Sequence, residues 1–97
     1  MLSIILKPPA DILTELGQRA KIARLALKWT RKTLSERSGV PEATIKRFES
    51  SGLLGTAALI DIATALDMIQ GFERLFEPKP IRSIDDIQNK KRKRGSL

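Results

Sequence analysis

The stretch from Thr30 to Glu49, T-R-K-T-L-S-E-R-S-G-V-P-E-A-T-I-K-R-F-E, constrains the fold of this chain more than any other part of it. Thr30 is a good N-cap, because its hydroxyl can accept from an otherwise unpaired amide of the first helical turn. With Thr30 at the cap, Trp29 falls just before it and Leu34 four residues into the helix. That is the spacing of a hydrophobic staple. Gly39 suits the left-handed residue that closes a helix, and Val40-Pro41 then starts another, since the fixed φ of proline is compatible with a helix start. In this next helix Ala43 or Thr44, Ile45 and Phe48 can face inward while Glu42, Lys46 and Arg47 stay outside. The result is two short helices joined at a glycine, the later one presenting a polar, basic face.

The remaining text adds helices on both sides. Pro8-Pro9 break an apolar start, and Pro9 suits the first position of a helix running from Ala10 to about Leu27, with Ile12, Leu16, Ala20, Ala23 and Leu27 as its inner positions. Ser50-Ser51-Gly52 ends the helix that carries Lys46 and Arg47. Thr56 is the expected cap of a fourth helix striped by Leu59, Ile62, Ala63 and Leu66, and a fifth short helix is expected over Gly71 to Phe76. Leu2, Ile4, Ile5 and Leu6 form a segment able to pair as a short strand. Beyond Glu77-Pro78-Lys79-Pro80 the text turns polar: Ser83 can cap one turn through Asp86, and Lys90 to Arg94 is an unbroken basic run on an expected flexible tail. The expectation is an all-α fold of five helices, divided into an extended segment at 1–9, a folded unit at 10–77 and a tail at 78–97.

Charge and composition narrow the function classes. Residues 1–54 carry ten Lys/Arg against five Asp/Glu, residues 55–89 three against six, and residues 90–97 five against none, which gives +5, −3 and +5 within a net +7. A polyanion would be drawn to the first half and the tail, with the acidic segment facing away from it. Histidine and cysteine are both absent, so zinc fingers, cysteine nucleophiles, disulfide frameworks and histidine acid/base chemistry are all excluded. The carboxylates, lysines and hydroxyls that remain show no catalytic spacing and no glycine-rich phosphate loop, so no enzyme, metal, cofactor or small-molecule ligand is expected. No run of ~18 apolar residues occurs, and the apolar start is too short and lacks the basic lead of a secretory signal. A soluble, cytoplasmic protein is expected.

The motif resembles the Cro/lambda-repressor type of helix-turn-helix family, also called the Xre family, over roughly Leu13 to Met68. Thr30, Leu34, Gly39, Val40, Ile45 and Glu49 carry the likeness, and Thr56 to Leu66 is similar to the helix such proteins place after the motif. The resemblance implies a lambda-repressor-like domain that binds double-stranded DNA. It places Arg31 at a phosphate contact, with Thr30, Lys32 and Ser50 as further phosphate partners. It puts Glu42, Ala43, Thr44, Lys46 and Arg47 where relatives reach base edges: Lys46 or Arg47 for guanine, Glu42 for the cytosine amine, Ala43 or the Thr44 methyl for thymine. A carboxylate among phosphates is repelled unless a base amine meets it, so Glu42 has a solvated reading beside this one. The resemblance also implies that Glu49 pairs with Arg24 as a structural element. Pro41 and Ser35 depart from the family's usual serine and alanine, which removes a hydroxyl cap at Pro41.

Further implications come from the same resemblance. A single reading helix covers about four or five base pairs, so a homodimer on a palindromic operator is implied. Its interface would lie on the fourth and fifth helices, with Leu66, Met68, Ile69, Phe72 and Phe76, or else on the apolar start. Residues 65–76, the proline-rich link, Ser83-Ile84-Asp85-Asp86 and the basic tail are similar to HipB-type antitoxins. That likeness implies an autorepressor partnered with a HipA-type serine/threonine kinase toxin. Three readings stay open beside it: a solitary or prophage repressor of the same fold, a protein-binding module whose main role is neutralising a partner enzyme, and nonspecific RNA or DNA coating through the basic tail.

Overall fold

A computed structural model describes residues 7–79. Its elements, in chain order, are α1 (Pro9–Ala26), α2 (Arg31–Ser38), α3 (Glu42–Ser51), α4 (Thr56–Ala65) and α5 (Gln70–Glu73), and no strand occurs among the described residues. The expected N-terminal strand and basic tail fall outside them.

Local chemistry sets the helix ends. Thr30 caps α2, its hydroxyl accepting from the Thr33 amide at 3.1 Å, and Gly39 closes the helix at φ 81° with its amide donating to the Ser35 carbonyl. Gly52 closes α3 in the same way at φ 79°. Two other ends use the Schellman pattern, in which two amides past the helix satisfy orphan carbonyls. Past α1, Lys28 donates to Leu25 and Trp29 to Arg24; past α4, Asp67 donates to Thr64 and Met68 to Ala63. Lys28 and Asp67 occupy the left-handed position there, at φ 61° and 60°, where glycine would be less strained.

Helices of 8 and 10 residues are too short to persist alone, so packing must hold α2 and α3. Leu34, Val40, Ile45, Phe48, Ile62 and Leu66 form the buried core, and Leu16, Ala20, Ala23, Trp29, Leu54, Ala58, Leu59 and Ala65 close around it. Each large apolar side chain fully buried here contributes about 1.5–3 kcal/mol relative to exposure. Trp29 packs against the cluster that contains Leu34, where a staple would place it, and its ring carries the Arg37 guanidinium 4.7 Å from the centroid.

Helix α1 lies against α3, and α2 against both α3 and α4. The closest approach uses glycine. A Cβ on Gly17 would overlap the Phe48 carbonyl oxygen, and one on Gly52 would overlap the Leu13 carbonyl, so α1 and α3 meet backbone to backbone at two points.

Several expectations need correction. Ile12 and Leu27, assigned to the inner stripe of α1, are 51% and 46% exposed; the most buried positions are Gly17 and Arg24, seven residues apart and so stacked two turns from each other. Gly17 lies against the Phe48 and Glu49 backbone and Arg24 binds Glu49, so α3 covers the face of α1 that carries these two residues. Thr56 is the first helical residue of α4 rather than its cap. Gly55 occupies the cap in an extended conformation, its carbonyl accepting from the Leu59 amide at 2.9 Å. The fifth helix spans Gln70–Glu73 instead of Gly71 to Phe76. After it Leu75 and Glu77 donate three residues back, to Phe72 and Arg74, and Phe76 sits at φ 67°, a conformation that cannot continue a helix.

Candidate nucleic-acid interface

The exposed side of α3 is set by what the other side must bury. Ile45, Phe48 and Glu49 point inward and are almost inaccessible, which turns Glu42, Ala43, Lys46 and Arg47 outward and leaves Thr44 half-buried at the edge. With about 3.6 residues per turn, the buried and outward positions fall on opposite sides of the helix. All five residues expected to reach base edges therefore lie on one accessible flank.

A hollow on one side of this flank is lined by Arg24, Thr30, Arg31, Lys32, Glu42, Ala43 and Lys46, four cations against one carboxylate. It joins the start of α2 to the start of α3. On the other side, Ala43, Thr44 and Arg47 face Leu53, Leu54 and Gly55 across a second, more apolar hollow. Sequence reasoning did not single out Leu53. It stands half exposed in a loop bounded by Gly52 and Gly55, and a large apolar residue between glycines was the available signal.

At the first hollow lies an ion triad built on the buried Arg24–Glu49 pair. Glu49 accepts from Arg24 Nε at 2.7 Å and Arg24 Nη2 at 3.1 Å, and from Arg31 Nε at 2.9 Å. Arg24 also donates through Nη1 to the Trp29 carbonyl at 2.8 Å, which ties the residue before the α2 cap to the same cluster. Burial pushes the Glu49 carboxyl upward, but the hydrogen bonds and charges of Arg24 and Arg31 outweigh it and hold the group below the ordinary glutamate range. Among the described residues no buried side-chain polar atom lacks a partner. The structural pairing of Arg24 with Glu49 is therefore present, and Arg31, expected only at a phosphate, joins it.

The other phosphate candidates differ in readiness. Lys32 is exposed at the rim of the hollow. The Thr30 oxygen is engaged as the α2 cap. Ser50 lies at the far end of α3, its hydroxyl donating to the Arg47 carbonyl at 3.1 Å, so a phosphate contact there would require that bond to exchange. No helix among the described residues is long and apolar enough to cross a membrane.

A comparison with curated proteins gave no match. Comparison with family models gave a match to the helix-turn-helix model of the Cro/C1 type over residues 21–70, from the second half of α1 to the start of α5. That span covers just over half of the 97 residues and includes every side chain on the accessible flank of α3. The chain belongs to the Cro/C1-type helix-turn-helix family of DNA-binding transcription regulators.

Proposed function

We propose that the chain is a sequence-specific repressor that reads its operator with Glu42, Ala43, Thr44, Lys46 and Arg47. The observation that carries this reading is the single accessible flank of α3, on which these side chains stand beside the cationic hollow. Arg47 or Lys46 donates to guanine O6 and N7, Glu42 accepts from the cytosine amine, and Ala43 or the Thr44 methyl packs on thymine. Each good bidentate contact discriminates by about 1–3 kcal/mol. Arg31 and Lys32 hold phosphates and set register without reading sequence, with Thr30 and Ser50 beside them.

A 10-residue α3 is about 15 Å long and spans less than half a turn of duplex, so one copy reads too little sequence to be specific. A homodimer supplies a second α3 about one turn away on a palindrome. The apolar surface left near α5 suits this interface: Met68 is 59% exposed, Leu75 55% and Phe76 93%, next to half-buried Ile69 and Phe72. Residues 65–76 and the basic 90–94 run are also those that resemble HipB-type antitoxins. On that basis the chain represses its own operon and holds a HipA-type serine/threonine kinase toxin.

Gel shifts on the promoter of the chain's own gene test the reading. Replacing Lys46 and Arg47 together with alanine is expected to abolish the operator shift while capture of a kinase encoded beside the gene persists. An unchanged operator affinity would show that α3 is not the reader.

A further inference from the structure

We infer that Glu49 is a positioning residue for DNA binding, holding Arg31 by its Nε so that the two amino groups of the guanidinium form a preset phosphate clamp at the mouth of the cationic hollow. The inference rests on the reading of α3 as the DNA-facing helix.

The triad contains one more arginine than neutrality needs. Arg24 alone answers the Glu49 charge through two hydrogen bonds, with both side chains almost wholly buried at 6% and 2% exposure. Arg31 is different, because its side chain is 34% exposed and its Nε shares the Oε1 that Arg24 Nη2 already uses. Arg31 therefore joins a carboxylate that already has one full partner. The larger effect falls on Arg31 itself, a long side chain that would otherwise lose its rotamer freedom only on meeting DNA.

The donor left over is the useful one. With Nε committed to Glu49, neither Nη1 nor Nη2 of Arg31 donates to another protein group among the described residues. Those two amino groups form the end-on fork that meets two phosphate oxygens at once. Arg31 lines the hollow with Thr30, Lys32 and Lys46, so a phosphate placed there meets three accessible cations against the one carboxylate of Glu42. Arg24 donates to the Trp29 carbonyl and so sets the start of α2 from the same carboxylate.

Simple charge counting gives the opposite sign. Removing the negative charge of Glu49 should strengthen attraction to a polyanion, whereas loss of a positioning residue should weaken it. Phosphate contacts do not depend on sequence, so a mixed-sequence 30-base-pair duplex is a suitable probe, followed by fluorescence anisotropy across a salt series with the full chain. Arg31→Lys keeps the charge and leaves the Arg24–Glu49 pair intact, yet it is expected to bind about 5–10-fold more weakly because an ammonium lacks the fork. Arg31→Met is expected to lower the salt slope by about 0.9, the value for one lost phosphate. Glu49→Gln is expected to bind about 3-fold or more weakly, and to lose most of that effect in the Arg31→Met background, where the clamp is gone and only the Arg24 link to the start of α2 remains.

Circular dichroism at the binding temperature confirms that each variant is folded, and if Glu49→Gln is not, Arg31→Lys decides alone. Arg31→Lys binding as tightly as the unmodified chain, or folded Glu49→Gln binding more tightly, would overturn the clamp while leaving the DNA-facing reading of α3 in place. Failure of the unmodified chain to bind the duplex would overturn both.

Discussion

Gly17→Ala is the substitution for which sequence and structure predict opposite signs. In an exposed helix interior this change stabilises by about 1 kcal/mol, because glycine has the larger backbone entropy to lose. Here the added methyl would overlap the Phe48 carbonyl oxygen and lie 3.0 Å from the Glu49 oxygen and 3.2 Å from its carbonyl carbon. All three atoms are α3 backbone and cannot rotate away, so α1 and α3 must separate as units. Overpacking of this kind costs about 1–3 kcal/mol, and an obstruction made of backbone belongs toward the upper end of that range. Subtracting the propensity gain leaves a net loss of about 1–2 kcal/mol, or a fall in Tm of about 4–16 °C for a domain of this size. Thermal melts followed by circular dichroism at fixed protein concentration measure it. Gly71→Ala is the control, since a Cβ built there has no atom within 4 Å beyond its chain neighbours and its own helix's backbone, and its Tm should be unchanged or slightly higher. A Gly17→Ala variant that melts at or above the unmodified chain would refute the backbone-to-backbone seating of α1 on α3.

Two further outcomes follow from the same geometry. Thr30→Ala removes the hydroxyl that caps the Thr33 amide at 3.1 Å and should lower the urea unfolding free energy by about 1 kcal/mol, while Thr30→Ser restores it; equal midpoints for all three chains would remove the capping role. Glu49 has a carboxyl held below its ordinary value of 4.5, so its contribution is fully present above that pH and is lost as pH falls through the depressed folded value. The urea midpoint should hold steady from pH 7 to about 5 and decline below about 4.5, with a shallower decline in Glu49→Gln. The exposed Glu15 is also lowered, chiefly by its hydrogen bond from Lys7, but salt screens that pair, so the part of the decline that persists at high salt reports Glu49.

The motif was legible because its signals are local. Thr30 and Gly39 mark the ends of α2 through their own backbone and side-chain chemistry, and the spacing of Ile45 and Phe48 decides which side of α3 turns outward. The Arg24–Glu49 pair was reached through family resemblance, since nothing in the spacing of residues 25 apart announces an ion pair. Arg31 was expected to face only phosphate because no local rule couples it to Glu49, 18 residues on. Gly17 left still less trace: a residue without a side chain adds nothing to hydrophobic periodicity, and its role depends on a carbonyl 31 residues away. Thr56 misled because a threonine near a helix start looks like a cap, whereas the bond from Leu59 to the Gly55 carbonyl assigns that place to the glycine. The fifth helix was overextended because the apolar residues through Phe76 continue a helical rhythm that the left-handed Phe76 backbone breaks.

The two glycine contacts bear on how freely this protein could be retargeted. At Gly17 and Gly52 the aim of α3 is referenced to main-chain atoms of α1, not to the shape of any outward side chain. Glu42, Ala43, Lys46 and Arg47 take no part in those contacts, so exchanging them leaves the mounting of the helix untouched. The molecule is in this respect a tool holder with an interchangeable bit: a library varied at these four positions and Thr44 should yield folded chains in high proportion, and, on the proposed reading of this flank, a variant's DNA preference can be ascribed to its new side chains without invoking a re-aimed helix.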